Sequence, residues 1–546
     1  MRPAISSLRP CRLFSGLALC AAVLLPGFAD GRSPAPREEE KERHKVEVSN
    51  PYRAAPAAAY DFSADSLGGE MGATPGGAQD IAFFRDRAAH GEIPHPNTFT
   101  PEGLFSEHDL PLATRTKCMQ TLCATGEAMG AGLLVQPEVR YLAQLGFSSG
   151  LDAKTFKRAP LHLVAVIDKS GSMSGQPLEL VKQSLEKVVS QLGPDDELSI
   201  VLYGDRSHVY MQPTPVTHRG AIAREIRRIE SAGSTNMEEG LAVGFALANS
   251  RKFTGSTRVM LFTDERPNVG STDKNSFMGM ARDASKSGVG MTTVGVGVQF
   301  GAELATAISS VRGGNLFFFP DAKRMEKVFE EEFDTMVTEL AYDLQLEVRP
   351  AKGLKIAGVY GIPGQALKWI DGGAISLSVE TIFLSRKKGA IYVAMASDTG
   401  PGLPETKVAL GAGVASVKLD YREHRERGGK AIRTQVELPT VLANAASLGL
   451  TRGELLVEQA TSLARAASLH HEKNDQEGAY QAVHALASLF RRNTDETLAA
   501  ERKLVLEVET TLAKLSGHQG EPGSGPGHRP EGGPVDRVSG LPPRVR

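Results

Sequence analysis

From residue 161 the chain alternates between two kinds of pattern. Short, mostly apolar runs occur at 161–167, 197–203, 258–263, 291–298 and 315–319. Between and after them lie segments whose apolar positions recur every three or four residues, at 178–192, 221–230, 237–248, 276–287, 303–309 and 325–340. Continuous apolar runs suit strands covered on both faces, and the three-to-four spacing suits the helices that cover them. Strands alternating with helices predict a doubly wound, mostly parallel α/β sheet over this stretch. In such sheets ligands bind beyond the carboxyl ends of the strands.

The pattern changes on either side. Residues 341–439 carry strand-like runs at 344–348, 375–382, 390–395 and 414–421 separated by Gly and Pro turns, which predicts an antiparallel β domain. Residues 440–515 turn Ala- and Leu-rich with helical spacing, and 516–546 are dominated by Gly, Pro and Arg, as in a disordered tail. Upstream, 78–158 contain short amphipathic pieces such as 81–89 and read as an accessory region. Residues 30–77, rich in Ala, Pro, Gly and Glu, read as a disordered linker.

At the N-terminus Arg2, Arg9 and Arg12 accompany the apolar stretch 13–25, with Gly27 and Ala29 spaced as in a cleavage site. Residues 1–29 are therefore expected to be a signal peptide. The run is shorter than the ~20 residues that span a bilayer, and no later run reaches that length, so no transmembrane anchor is expected. The protein is expected to be exported, whether periplasmic, attached to the cell envelope or secreted. Leu17-Ala18-Leu19-Cys20 resembles a lipoprotein box, with a bulky Leu19 where a small residue is wanted, and leaves a lipid anchor at Cys20 as an alternative. Only Cys118 and Cys123 lie beyond the signal; their spacing fits a small disulfide loop or two unpaired thiols, and no second Cys or His pair makes a zinc site.

A length of 546 residues implies several domains, and a formal net charge of −2 gives no electrostatic reason to expect nucleic acid as a partner. The chemistry is concentrated instead in Asp168-Lys169-Ser170-Gly171-Ser172, directly after the first apolar run. A carboxylate and two hydroxyls at alternate positions in a loop leaving a strand can turn their oxygens toward one point, and hard cations take oxygen ligands. Two more oxygen-bearing segments fall where neighbouring strands should end: Gly233-Ser234-Thr235-Asn236 and Thr263-Asp264. Each residue also has an ordinary reading, Ser170, Ser172 and Thr235 as helix caps and Asp264 as a turn residue.

Together the three loops resemble the metal-ion-dependent adhesion site of von Willebrand factor type A domains, over residues 159–340. The resemblance implies that Ser170, Ser172 and Thr235 supply hydroxyl ligands while Asp168 and Asp264 act directly or through water. The implied cofactor is Mg²⁺ or another divalent cation such as Mn²⁺ or Ca²⁺. Two carboxylates cancel the charge of such an ion and the hydroxyls add none, so it stays electrophilic toward an anionic sixth ligand. In this family that ligand is commonly an Asp or Glu carboxylate of a protein partner. Residues 191–196, 233–236, 268–270 and 295–297 extend the resemblance to bacterial type A proteins allied with inter-α-trypsin inhibitor heavy chains. One departure stands out: Glu265 follows Asp264 where the family usually has Gly, which puts the site's affinity in doubt.

Enzyme signatures fail. Met173 occupies the centre of Gly171 to Gly175, so Gly-x-Ser-x-Gly is absent, as are the phosphate-loop and His-Glu-x-x-His motifs. Ser170 stands where an aspartyl phosphotransferase would want a second Asp. The expectation is a non-enzymatic protein that binds a protein partner through a metal ion; the alternative is a structural scaffold with an unoccupied metal site.

Overall fold

The computed structural model describes residues 70–74, 81–99, 101–112, 118–152, 156–264, 274–296, 311, 313–319, 322–362, 367–385, 390–399, 406–423 and 431–518. The expected signal peptide, Cys20, Glu265, the helix at 303–309 and the tail from 519 onward lie outside them. Strand β1 (Glu70–Thr74) is followed by helices α1 (Ala82–Ala89) and α2 (Pro101–Ser106) and then by strands β2 (Cys123–Gly130) and β3 (Val139–Asp152). Cys118 and Cys123 form a disulfide at the start of β2.

The central domain follows. Strands β4 (Leu161–Asp168), β5 (Glu197–Tyr203), β6 (His208–Pro215), β7 (Ser256–Thr263), β8 (Val289–Val296) and β9 (Gly314–Phe319) form a six-stranded sheet in the order β6-β5-β4-β7-β8-β9. All neighbours pair in parallel except β5 and β6. Every residue of β4 is buried, as its unbroken apolar run requires of a central strand. Helices α3 (Gln176–Gln191), α4 (Arg219–Arg227), α5 (Met237–Asn249), α6 (Lys274–Lys286) and α7 (Ala322–Val337) complete the domain. One apolar cluster joins Leu178, Val181 and Leu185 to Phe329 and Phe333, and a second joins Leu241 and Phe245 to Val164 and Val166. Helix α5 lies close on the sheet because it presents glycines there: a Cβ on Gly240 would come within 2.7 Å of the Tyr203 side chain, and one on Gly244 within 2.5 Å of Val166.

Past α7 the chain forms β10 (Glu339–Pro350), β11 (Leu354–Tyr360), β12 (Leu367–Ile370), β13 (Ala374–Ser385), β14 (Ala390–Ser397), β15 (Gly413–Arg422) and β16 (Ile432–Val441). These strands do not make a separate domain. They join β1, β2 and β3 in one ten-stranded sheet whose order runs β1-β13-β10-β15-β16-β2-β3-β14-β11, with β12 on β13. Because β1 pairs with both β13 and β3, seven of the strands close into a ring around Leu145, Phe147, Leu346, Val379, Val417 and Leu438. Strands from 123–152 and from 339–441 thus share one sheet, and residues 70–74 add a strand to it. The physical reason is that each stretch alone leaves sheet edges unpaired, and the missing partners come from the other side of the central domain.

Helices α8 (Leu448–Lys473), α9 (Gln476–Arg492) and α10 (Ala499–Leu515) likewise pack with the N-terminal pieces: Phe84, Phe99, Leu104 and Phe105 share a core with Leu456, Leu463, Phe490 and Leu504. A buried polar cluster ties them, with Glu501 accepting from Arg85 and Gln459 and meeting His108 at 3.1 Å. The central domain is thus an insertion between β3 and β10 of a host body. Its seam is fixed by Arg258, which is 2 % exposed and bonds Glu339, Thr292 and the carbonyls of Met291 and Gly313 over the Phe383 ring.

Candidate metal centre

The carboxyl ends of β4, β5 and β7 bring three loops together. Asp168 ends β4 and is fully buried; its Oδ1 accepts the Ser170 N–H at 2.8 Å, and its Oδ2 accepts the hydroxyls of Tyr203 and Thr263, each at 3.1 Å. Met173, also fully buried, roots the following turn in the core. Ser170 and Ser172 then place their Oγ atoms 3.0 Å apart, and Ser172 Oγ donates to Asp264 Oδ1 at 3.0 Å. Four of the five expected residues are thus joined by hydrogen bonds, Asp168 to Ser170 through the Ser170 N–H and Ser170, Ser172 and Asp264 through their side-chain oxygens.

Thr235 arrives on the second loop. That loop is bonded to the first, Gly171 N–H to the Gly233 carbonyl at 3.0 Å and Ala232 N–H to the Lys169 carbonyl at 2.6 Å. Among the described residues no hydrogen bond joins the half-buried Thr235 hydroxyl to those four, so the loops are brought together without a direct contact at this residue. The capping alternatives do not hold. Asn236 caps α5 by accepting the Glu239 N–H, and α3 starts behind Gly175 with no side-chain cap, so none of Ser170, Ser172 and Thr235 does that work for these helices.

Among the described residues these charges have no counter-ion. Lys169, next to Asp168 in sequence, bonds the Ala232 carbonyl at 3.0 Å. Among the described residues neither Asp168 nor Asp264 pairs with Lys or Arg, and no group of three or more His, Cys, Asp or Glu side chains could hold a metal by itself. Burial raises the Asp264 carboxyl above its ordinary range; the Ser172 hydroxyl opposes this and the charge of Asp168 adds to it. Two neighbouring carboxylates with hydroxyls and no protein cation are a hard, oxygen-only donor set whose net charge suits a divalent ion. The residues present therefore fit the group the family implies.

Two residues near the site were not foreseen. Tyr203 ends β5, opposite Asp168 in register, and Asp205 follows two positions later, accepting both the N–H and the hydroxyl of Ser234 at 2.7 Å. Those bonds, with the charge of Lys169, lower the Asp205 carboxyl. The signal that was readable is their place: the end of a strand adjacent to the one carrying Asp168.

Comparison with known proteins agrees with this geometry. The sequence model of the von Willebrand factor type A domain matches residues 162–331. An uncharacterised protein of Synechocystis is 31% identical over 180 residues, 33% of this chain and 42% of its own. YfbK of Escherichia coli, also uncharacterised, is 31% identical over 205 residues, 37% of this chain and 36% of its own. Inter-alpha-trypsin inhibitor heavy chain H1 of Mesocricetus auratus is 29% identical over 145 residues, 25% of this chain and 16% of its own. The chain thus matches less than half the length of each of these relatives. What began as a cation loop at the end of one buried strand is accordingly part of a domain with a family: residues 162–331 belong to the von Willebrand factor type A domains.

Proposed function

We propose that this protein binds a protein partner through a divalent cation held by Asp168, Ser170, Ser172, Thr235 and Asp264. Domains of this type commonly mediate protein–protein interaction, and the observation that carries the reading here is the hydrogen-bonded chain that runs from Asp168 through the Ser170 N–H and the hydroxyls of Ser170 and Ser172 to Asp264. Mg²⁺ is the expected ion, with Mn²⁺ and Ca²⁺ as substitutes, and when bound it supplies an electrophilic point for an Asp or Glu carboxylate of the partner. The chain's own residues do the rest. Tyr203 and Thr263 hold Asp168 oriented, and Met173 fixes the turn that raises Ser172. We read the arrangement as a binding site because its hydroxyls and carboxylates make a cation's donor set and domains of this type commonly mediate protein–protein interaction.

Export fits the same reading. The N-terminal sequence has the features of a signal peptide, and no helix among the described residues is long and apolar enough to cross a membrane. The test is a thermal melt of the full chain with increasing Mg²⁺. The midpoint is expected to rise, by an amount set by about 2.7 kcal/mol of linkage at a hundredfold excess over Kd, and the rise should vanish in Asp168→Ala. A midpoint indifferent to Mg²⁺ in both proteins would leave the scaffold reading instead. Capture of a partner that is lost in chelator then identifies the ligand.

A further inference from the structure

The loop that carries Thr235 is held from outside the metal-ligand set. Asp205 Oδ1 accepts the Ser234 N–H and the Ser234 hydroxyl, both at 2.7 Å, one residue before Thr235. On the other side of Thr235, Asn236 accepts the Glu239 N–H, and Glu239 Oε2 accepts the N–H and hydroxyl of Ser207 at 3.2 Å each. The short segment 204–207 therefore grips the second loop on both flanks of Thr235. The fit is tight: Gly233 has a φ of +92°, and a Cβ there would lie 2.6 Å from Asp205 Oδ2. Immediately before Thr235 the loop's side-chain anchor is the exposed Asp205 carboxylate, beside the bond from Lys169 Nζ to the Ala232 carbonyl.

We propose that Asp205 is a positioning residue of the metal site, holding Thr235 in place before the cation arrives. The role rests on the metal-site reading above and adds to it a residue outside the ligand set. A ligand whose loop is already fixed loses less conformational entropy on binding, so the anchor should appear as affinity. Its mode of action is hydrogen bonding, since an Asn at this position keeps an oxygen acceptor for Ser234 and gives up only the charge.

The experiment is Mg²⁺ and Mn²⁺ titration by calorimetry on the full chain, with metal-free melting and hydrogen exchange over residues 232–236 recorded beside it. Asp205→Ala is expected to weaken metal binding roughly 10- to 100-fold, the range seen when a residue behind a metal ligand is lost. Its metal-free melting temperature should stay near wild type while exchange in the loop quickens. Asp205→Asn should restore most of the affinity and the slow exchange. Wild-type affinity in Asp205→Ala would overturn the proposal and leave the metal site standing; an Asn variant as weak as the Ala variant would overturn it in favour of a charge effect. A wild-type chain that takes up neither ion would overturn the metal-site reading, and this role with it.

Discussion

The inserted domain and its host bury their sheets by opposite means. In the domain, parallel strands are covered by helices that follow them in the chain, so most of the core comes from near neighbours. The host pairs strands from the two sides of the insertion: Gly72 lies opposite Ser385, and Gly146 opposite Ala390. Their polar interiors differ as well. The domain gathers its carboxylates and hydroxyls at the carboxyl pole, whereas the host encloses Arg85, His108, Gln459 and Glu501 where two distant parts of the chain meet. Polar groups that can take up an ion face outward in one; in the other they are consumed in joining segments.

Breaking the joint should therefore hurt the host alone. Glu501→Gln removes the carboxylate that Arg85 and His108 share, leaving Arg85 with Glu107 alone, and is expected to cost about 3 kcal/mol of host stability. Urea unfolding with hydrogen exchange resolved along the chain should place the loss in residues 81–110 and 448–515. Equal loss throughout the inserted domain would mean that the two bodies unfold as one, and the contrast drawn here would fail.

Acid and alkali should separate the two more gently. His162 in the domain is fully buried against Ser199; burial and then the charge of Arg251 lower it to about 4. Its contribution is present above the ordinary histidine value and is lost as pH falls from about 6.5 through about 4. Glu458 in the host is raised to about 7 by burial, with the Leu134 N–H opposing and Glu454 adding to the shift. Its contribution is complete below about 4.5 and is lost as pH rises through about 7. Each is worth at most about 3 kcal/mol. His162→Leu should flatten the acid limb of the domain, and Glu458→Gln the neutral limb of the host. Either substitution flattening the other body's limb would contradict the assignment.

The smallest effect sharpens the comparison at the carboxyl pole of the domain. Asn236→Ala removes the cap of α5 and should cost about 1 kcal/mol, read as a lower unfolding midpoint of the domain with the host unchanged. A midpoint shift in the host of the same size would show that the cap serves both bodies.

The same contrast explains what could be read from the sequence. The domain was legible because its parallel strands are short, mostly apolar runs with helices beside them, and Asp168, Ser170 and Ser172 announce themselves at a strand end; the antiparallel β6, polar and half exposed at the sheet edge, gives no such run and was not read. The host was only half legible. Four of its strands and two of its helices could be read, as at 414–421 and 478–490, but β2, β3 and β16 carry no apolar run that marks them, and nothing local in β2 or β3 says that they pair with β16 and β14. Asp205 was missed for a related reason: its partner Ser234 is far along the chain, and the bond exists only once β5 and α5 are packed.

The insertion also sets the order in which the chain can fold. On a ribosome β3 emerges before the domain, yet its partner β14 begins only at Ala390, so one long edge of β3 waits while the whole domain is synthesised. The domain, complete by α7, can close first and hold the two ends of the interrupted host side by side. The loop closure that would otherwise slow such distant pairing is then already made. In that sense the inserted domain would serve the host as a folding template.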